Sequence, residues 1–342
     1  MKTLLIHVGM GRAGTSALQK FLALNRDALM TRGWAYPDET AFGLPARGSS
    51  VGNLTSLALL AREGQAIDEP LAQFSAYLGS GQTDHVLVSS EWTMGTGEVL
   101  LAPLRLAAER AGFSAKAIIY FREQCEWLLS DYAQKLKTQN WTLTAEECMQ
   151  QALHGRNLNY YAKFLRLTRL FDKERVQARI YDRAKLVGGD IQSDFLSVMQ
   201  VDGDGLQRVD ASVNASADMV EVELMRLINR NEASGLKIDK NRLLQLASEI
   251  PGDRDHRLYR LVSPASIQGV RERYRRSNKR LQNELQLPAP LFNLRIPSDY
   301  ETMDEACLIS ERSVQILLRY LETVRQAPDH KPLKPSAVQA TN

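Results

Sequence analysis

Cysteine is scarce in this chain. There are three, Cys125, Cys148 and Cys307, an odd number at wide spacing with no C-x-x-C pair, which argues against a disulfide framework and against a cysteine zinc site. Long hydrophobic runs are missing as well: nothing approaches the ~20 apolar residues of a membrane span. The short run after Lys2 gives way at once to His7 and a glycine loop, which is too early for a secretory leader. Nor is there an excess of one charge. Lys and Arg number 43 and Asp and Glu 40, a net +3, too little to drive bulk nucleic-acid binding. These absences lead us to expect a cytoplasmic protein with no nucleic-acid partner and no integral membrane segment. Peripheral contact with a membrane face stays open.

What is present suits an α/β enzyme. At 342 residues, 44% hydrophobic and 24% charged, the chain can bury a sizeable core, and we expect one domain over residues 1–326. TLLIHV (3–8), HVLVSS (85–90), AKAIIYF (115–121) and VQARIY (176–181) are short, Val- and Ile-rich runs separated by segments long enough for helical crossovers. That pattern predicts a central parallel sheet in a three-layer, P-loop-like α/β/α fold. Helices are expected over about 15–32, 97–111, 124–137, 157–172 and 190–200. The Gly- and Asp-rich stretch 202–216 reads as a long loop leading to a helical C-terminal part from about 216. Within that part, residues 264–287 form an amphipathic pattern crowded with Arg271, Arg273, Arg275, Arg276, Lys279 and Arg280. Residues 327–342 carry three prolines and no periodicity, the composition of a disordered tail.

Chemistry begins at HVGMGRAGTS, directly after the first strand. Gly9, Gly11 and Gly14 spell the dinucleotide fingerprint G-x-G-x-x-G, while Gly9 to Ser16 spell a Walker A loop with Thr15 in place of its lysine. Both patterns let backbone N–H groups approach phosphate oxygens at a helix N-terminus. A dinucleotide fold needs a second strand about 20 residues on, ending in an acidic residue. TRGWAYPDET has little strand character there, and only Asp38 or Glu39 could serve. A kinase needs the missing lysine. What the loop offers instead is Arg12, Ala13 and Gly14 followed by the adjacent hydroxyls Thr15 and Ser16, a set suited to a single terminal phosphate.

This arrangement resembles the 5′-phosphosulfate loop of sulfotransferases that use 3′-phosphoadenosine 5′-phosphosulfate, in which a Lys usually stands where this chain has Arg12. A second match is Arg122, at the end of AKAIIYF, with Ser130 eight residues later. In the family an Arg and a Ser at this spacing hold the 3′-phosphate. A third is Glu91, ending VLVSSE, where carbohydrate sulfotransferases place a Glu or His as base; the Ser-Ser-Glu is similar to bacterial members. The resemblance implies that Gly11, Arg12, Ala13, Gly14, Thr15, Ser16, Arg122 and Ser130 bind the co-substrate, with the Thr15 hydroxyl facing it. It further implies that Glu91 and Arg12 are catalytic, that no metal takes part, and that the acceptor is a hydroxyl, less readily an amine, of a glycan or glycolipid. The glycine-rich C-terminal segment of the phenol and steroid enzymes is missing; the basic helix at 271–280 could replace it, face an anionic acceptor, or be a solvated surface. His7, His85 and His154 are weaker candidates for the base. Two other classes stay open: a P-loop kinase that has reassigned its lysine, and a nucleotide-binding module in which Glu91 is structural.

Overall fold

The structure, a computed structural model, describes residues 2–46, 48, 52–155, 158–210, 217–231, 238–250, 255–288, 290–303 and 311–326. Five strands form one all-parallel sheet: β1 (Thr3–Val8), β2 (Trp34–Ala35), β3 (His85–Ser90), β4 (Ser114–Phe121) and β5 (Val176–Ile180). Their order is β2-β3-β1-β4-β5. The helices are α1 (Thr15–Leu24), α2 (Arg26–Met30), α3 (Thr55–Arg62), α4 (Asp68–Gly79), α5 (Thr93–Thr96), α6 (Glu98–Arg110), α7 (Gln124–Thr138), α8 (Ala145–His154), α9 (Tyr160–Phe171), α10 (Ile191–Met199), α11 (Met219–Asn231), α12 (Lys240–Glu249), α13 (Pro264–Glu284) and α14 (Glu311–Gln326).

Strand β1 lies at the centre of the sheet because both its faces are apolar and covered. Leu4, Ile6 and Val8 are fully buried on one side and Leu5 on the other, as the continuous apolar runs of a two-sided parallel sheet require. Leu5, Leu87, Ile118 and Tyr120 share one face and pack with Leu18, Phe21 and Leu22 of α1 and Phe195, Leu196 and Met199 of α10. On the opposite face Phe121 stacks on Tyr160 of α9 at 4.7 Å. The register aligns Val8 with Ser90, and His7 with Ile118. The carboxyl ends of β3 and β4 therefore flank the loop that leaves β1. This is the point at which the strand order reverses, and ligands of open parallel sheets sit in that crevice.

Three expectations are refined by the fold. The helix expected over 15–32 breaks at Asn25, a buried residue whose amide donates to the Phe21 and Gln207 carbonyls at 2.8 and 2.9 Å and whose Oδ1 accepts from Gln207 N–H at 2.8 Å. These bonds tie the 201–210 stretch down and compete with the helix. TRGWAYPDET does contain a strand, of two residues, because Trp34 is buried, stacks on His85 at 4.9 Å and donates to the Met199 carbonyl at 3.1 Å. Helices α3, α4, α5 and α8 stand where none was anticipated. The 327–342 tail and Cys307 lie outside the described residues; Cys125 and Cys148 are buried.

The chain divides into two compact units. One comprises Met1–Asp131, Met149–Ala215 and Pro264–Asp299, and contains the sheet; the other comprises Tyr132–Cys148, Ser216–Ser263 and Tyr300–Asn342. In the second, α11, α12 and α14 bury Leu224, Ile228, Leu243, Leu246, Ile316 and Tyr320 together. Arg312 there pairs with the buried carboxylates of Asp218 and Glu221. Among the described residues no helix is long and apolar enough to cross a membrane.

Candidate active site

Residues 9–14 carry the chain from the end of β1 to the start of α1, and their geometry explains the glycines. A Cβ on Gly9 would lie 2.8 Å from the Ser90 carbonyl oxygen and 2.9 Å from Thr15 Cγ2. Gly14 has φ 78°, and a Cβ on it would lie 2.6 Å from the Tyr181 ring. Arg12 also holds a left-handed conformation, φ 66°, which is costly for a residue that carries a Cβ and is sustained by its surroundings. Helix α1 has no side-chain cap, so the first-turn amides of Thr15 and Ser16 point toward the loop with no intrahelical acceptor.

Two distant sequence motifs meet this loop. Arg12 Nε–H donates to Ser130 Oγ at 2.9 Å, and Arg122 Nη1–H donates to the Arg12 carbonyl at 3.1 Å. Arg122 also pairs with Glu126 one turn along α7 at 3.2 Å and lies over the Tyr181 ring, 5.9 Å from its centroid. Burial and the charge of Arg122 both lower the pKa of Arg12; Glu91 and Asp131 oppose the shift. The charge of Arg122 thus bears unfavourably on Arg12 in a partly dehydrated loop, a strain that an anionic group bound between them would relieve. The residues present thus fit a phosphate-bearing ligand: left-handed backbone at Arg12 and Gly14, the uncapped amides of α1 and the two arginines stand together at the carboxyl end of the sheet.

Glu91 flanks the loop from the other side, at the end of β3. Its Oε1 accepts from Ser16 Oγ at 3.2 Å, and a Cβ on Gly11 would lie 3.7 Å from its Oε2. Burial raises its pKa above the ordinary carboxylate value, with the Ser16 hydrogen bond and the Arg12 charge partly offsetting the rise. A carboxylate with enhanced proton affinity beside Arg12 can take a proton from a nearby hydroxyl.

Thr15 departs from expectation. It is buried, and its hydroxyl donates to the Met10 carbonyl at 3.1 Å. That carbonyl also accepts from Ala13 N–H at 3.3 Å, so the Thr15 side chain serves the loop's shape and the exposed hydroxyl is that of Ser16. The three histidines stand elsewhere. His7 is buried in the sheet, its Nδ1 2.8 Å from Ser89 Oγ, and burial lowers its pKa to about 3. His85 begins β3, at the opposite edge of the sheet, and His154 ends α8 with Nδ1 on the Gln150 carbonyl. In the basic helix, Arg271 lies 3.8 Å from the buried carboxylate of Glu123, Arg273 donates to the Gly155 carbonyl and Arg275 pairs with Glu272.

Two residues of this site, Trp127 and Tyr181, were not anticipated from the sequence. Trp127 Nε1–H donates to the Gly11 carbonyl at 2.6 Å; it precedes Ser130 by three residues, so the shared face of α7 was a usable signal. Tyr181 supports both Gly14 and Arg122, and only its position after β5 hints at that.

One solved structure, the crystal structure of a sulfotransferase from Alicyclobacillus acidocaldarius, is similar over 84% of this chain and 97% of that one, at 15% identity and a TM-score of 0.41. No protein-family model matches the chain, and no curated protein does.

Proposed function

We propose that the protein is a sulfotransferase that moves a sulfuryl group from 3′-phosphoadenosine 5′-phosphosulfate to a hydroxyl of a carbohydrate or glycolipid. The observation that carries this reading is the meeting of Arg12, Arg122 and Ser130 around a glycine loop, with Glu91 on the loop's other side. The co-substrate supplies the activated sulfuryl group and leaves as adenosine 3′,5′-bisphosphate. In this reading the uncapped amides of α1 and the Arg12 guanidinium hold the 5′-phosphate and neutralise the charge that grows there. Arg122 and Ser130 hold the 3′-phosphate. Glu91 accepts the proton of the acceptor hydroxyl as its oxygen bonds to sulfur and the sulfur–phosphate oxygen bond breaks.

The test is Glu91→Gln. The amide preserves shape and the Ser16 contact but cannot take a proton. Turnover is expected to fall about a hundred- to ten-thousandfold while bisphosphate affinity is kept. A variant transferring sulfate at the wild-type rate would remove Glu91 as base.

A further inference from the structure

We propose that Arg271 and Asn278 of α13 are positioning residues of the phosphate site, holding the junction between β4 and α7 and so setting where Arg122 and Ser130 stand. The proposal rests on the sulfotransferase reading for what Arg122 and Ser130 bind. The junction is Glu123, Gln124 and Cys125, three consecutive residues that are all buried. Each of them meets α13. Glu123 Oε1 lies 3.8 Å from Arg271 Nε. Gln124 and Asn278 exchange reciprocal amide hydrogen bonds at 2.8 and 3.1 Å, and Cys125 Sγ–H donates to the Ile267 carbonyl at 3.6 Å. Ile267, Arg271 and Asn278 recur at i, i+4 and i+11, one face of a helix. Arg271 is held at its far end too, where Nη2–H donates to the Ile296 carbonyl at 3.0 Å. Arg275, by contrast, is exposed and pairs with Glu272 on its own helix.

A chain of contacts carries the position of this junction into the site. Glu123 Oε2 accepts from Glu126 N–H at 2.8 Å, and the Glu123 carbonyl accepts from Trp127 N–H at 2.8 Å, so Glu123 closes the first turn of α7. Glu126 in turn pairs with Arg122 at 3.2 Å. Trp127 and Ser130 of the same helix bond to Gly11 and Arg12 of the loop. A shift of Glu123 therefore reaches both arginines of the site. The charge of Arg271 matters to this cap. Burial raises the pKa of Glu123, while the Glu126 N–H and Arg271 oppose the rise, so Arg271 favours the ionised carboxylate, which makes the stronger hydrogen bond to the helix.

The test is the ratio of affinities for adenosine 3′,5′-bisphosphate and adenosine 5′-phosphate, read by titration calorimetry on the full chain, with thermal melts to confirm folding. Arg271→Met and Asn278→Leu are each expected to lower the wild-type preference about three- to tenfold, the worth of one misplaced hydrogen bond. Arg271→Lys, which keeps the charge, should retain most of the preference, and the surface control Arg275→Met all of it. Glu123→Gln separates positioning from plain electrostatics. It removes a negative charge next to Arg122, which by charge alone would tighten phosphate binding; positioning predicts weaker binding of the bisphosphate. Should a single variant fail to fold, Glu123→Gln combined with Arg271→Met leaves no lone buried charge, and its loss should match that of either alone. An undiminished preference in Arg271→Met and Asn278→Leu, a gain in Glu123→Gln, or an equal loss in Arg275→Met would overturn the proposal. A wild type with no preference would instead fail the sulfotransferase reading, and the proposal with it.

Discussion

Gly14 and His7 show how single residues set the loop and the sheet beneath it. Gly14 combines a left-handed backbone with a Cβ direction blocked by Tyr181 and Ile191, so Gly14→Ala should cost about 1–3 kcal/mol in a denaturant melt and weaken nucleotide binding. Gly33→Ala is the control. It has φ 83° but open space around it, and should cost only about 1 kcal/mol of backbone strain. His7 links stability to pH. Burial lowers its pKa to about 3 from 6.5, so between those values the unfolded chain binds a proton that the native protein refuses. Stability therefore falls as pH is lowered from about 6.5 toward 3, at up to ~1.4 kcal/mol per pH unit from this group. His7→Asn should flatten the slope of unfolding free energy against pH between 6 and 4; an unchanged slope would mean that other groups carry the acid sensitivity.

The sheet was legible in the sequence and the small elements were not. Runs such as TLLIHV and HVLVSS are continuously apolar over residues 4–6 and 86–88 because both sheet faces are covered, and their observed limits, Thr3–Val8 and His85–Ser90, follow the runs. Two-residue β2 depends on what Trp34 stacks against, which no local pattern reveals. Four-residue α5 is too short for periodicity. Helix α4 was legible in principle: Leu71, Phe74 and Leu78 are buried at helical spacing. The candidate site divides the same way. Glycines, Arg122, Ser130 and Glu91 sit at spacings a reader can find, but Arg12 bonding to Ser130 and Thr15 turning inward depend on the path of the loop. Helix α7 brings the distant parts together by presenting Trp127 and Ser130 on one face to Gly11 and Arg12. Ser130→Ala should therefore weaken adenosine 3′,5′-bisphosphate binding about three- to tenfold in calorimetry, the worth of one hydrogen bond. Undiminished affinity would remove α7 from the site.

At the scale of the whole molecule, the reading turns on the reversal of strand order around β1. That reversal sets the ends of β3 and β4 on either side of the glycine loop, so that a carboxylate flanks it on one side and a guanidinium on the other. A kinase would place a lysine in the loop; here the cations are two arginines, one in the loop and one at the end of β4. In the proposed reading the second of these, Arg122, recognises a 3′-phosphate. The measurement is titration calorimetry of adenosine 3′,5′-bisphosphate against adenosine 5′-phosphate, with the wild-type protein and with Arg122→Ala. A charge-assisted contact of about 1.5–3 kcal/mol predicts that the wild type prefers the bisphosphate on the order of ten- to a hundredfold, and that Arg122→Ala loses most of that preference. Equal affinity of the wild type for the two nucleotides would rule out 3′-phosphate recognition by Arg122.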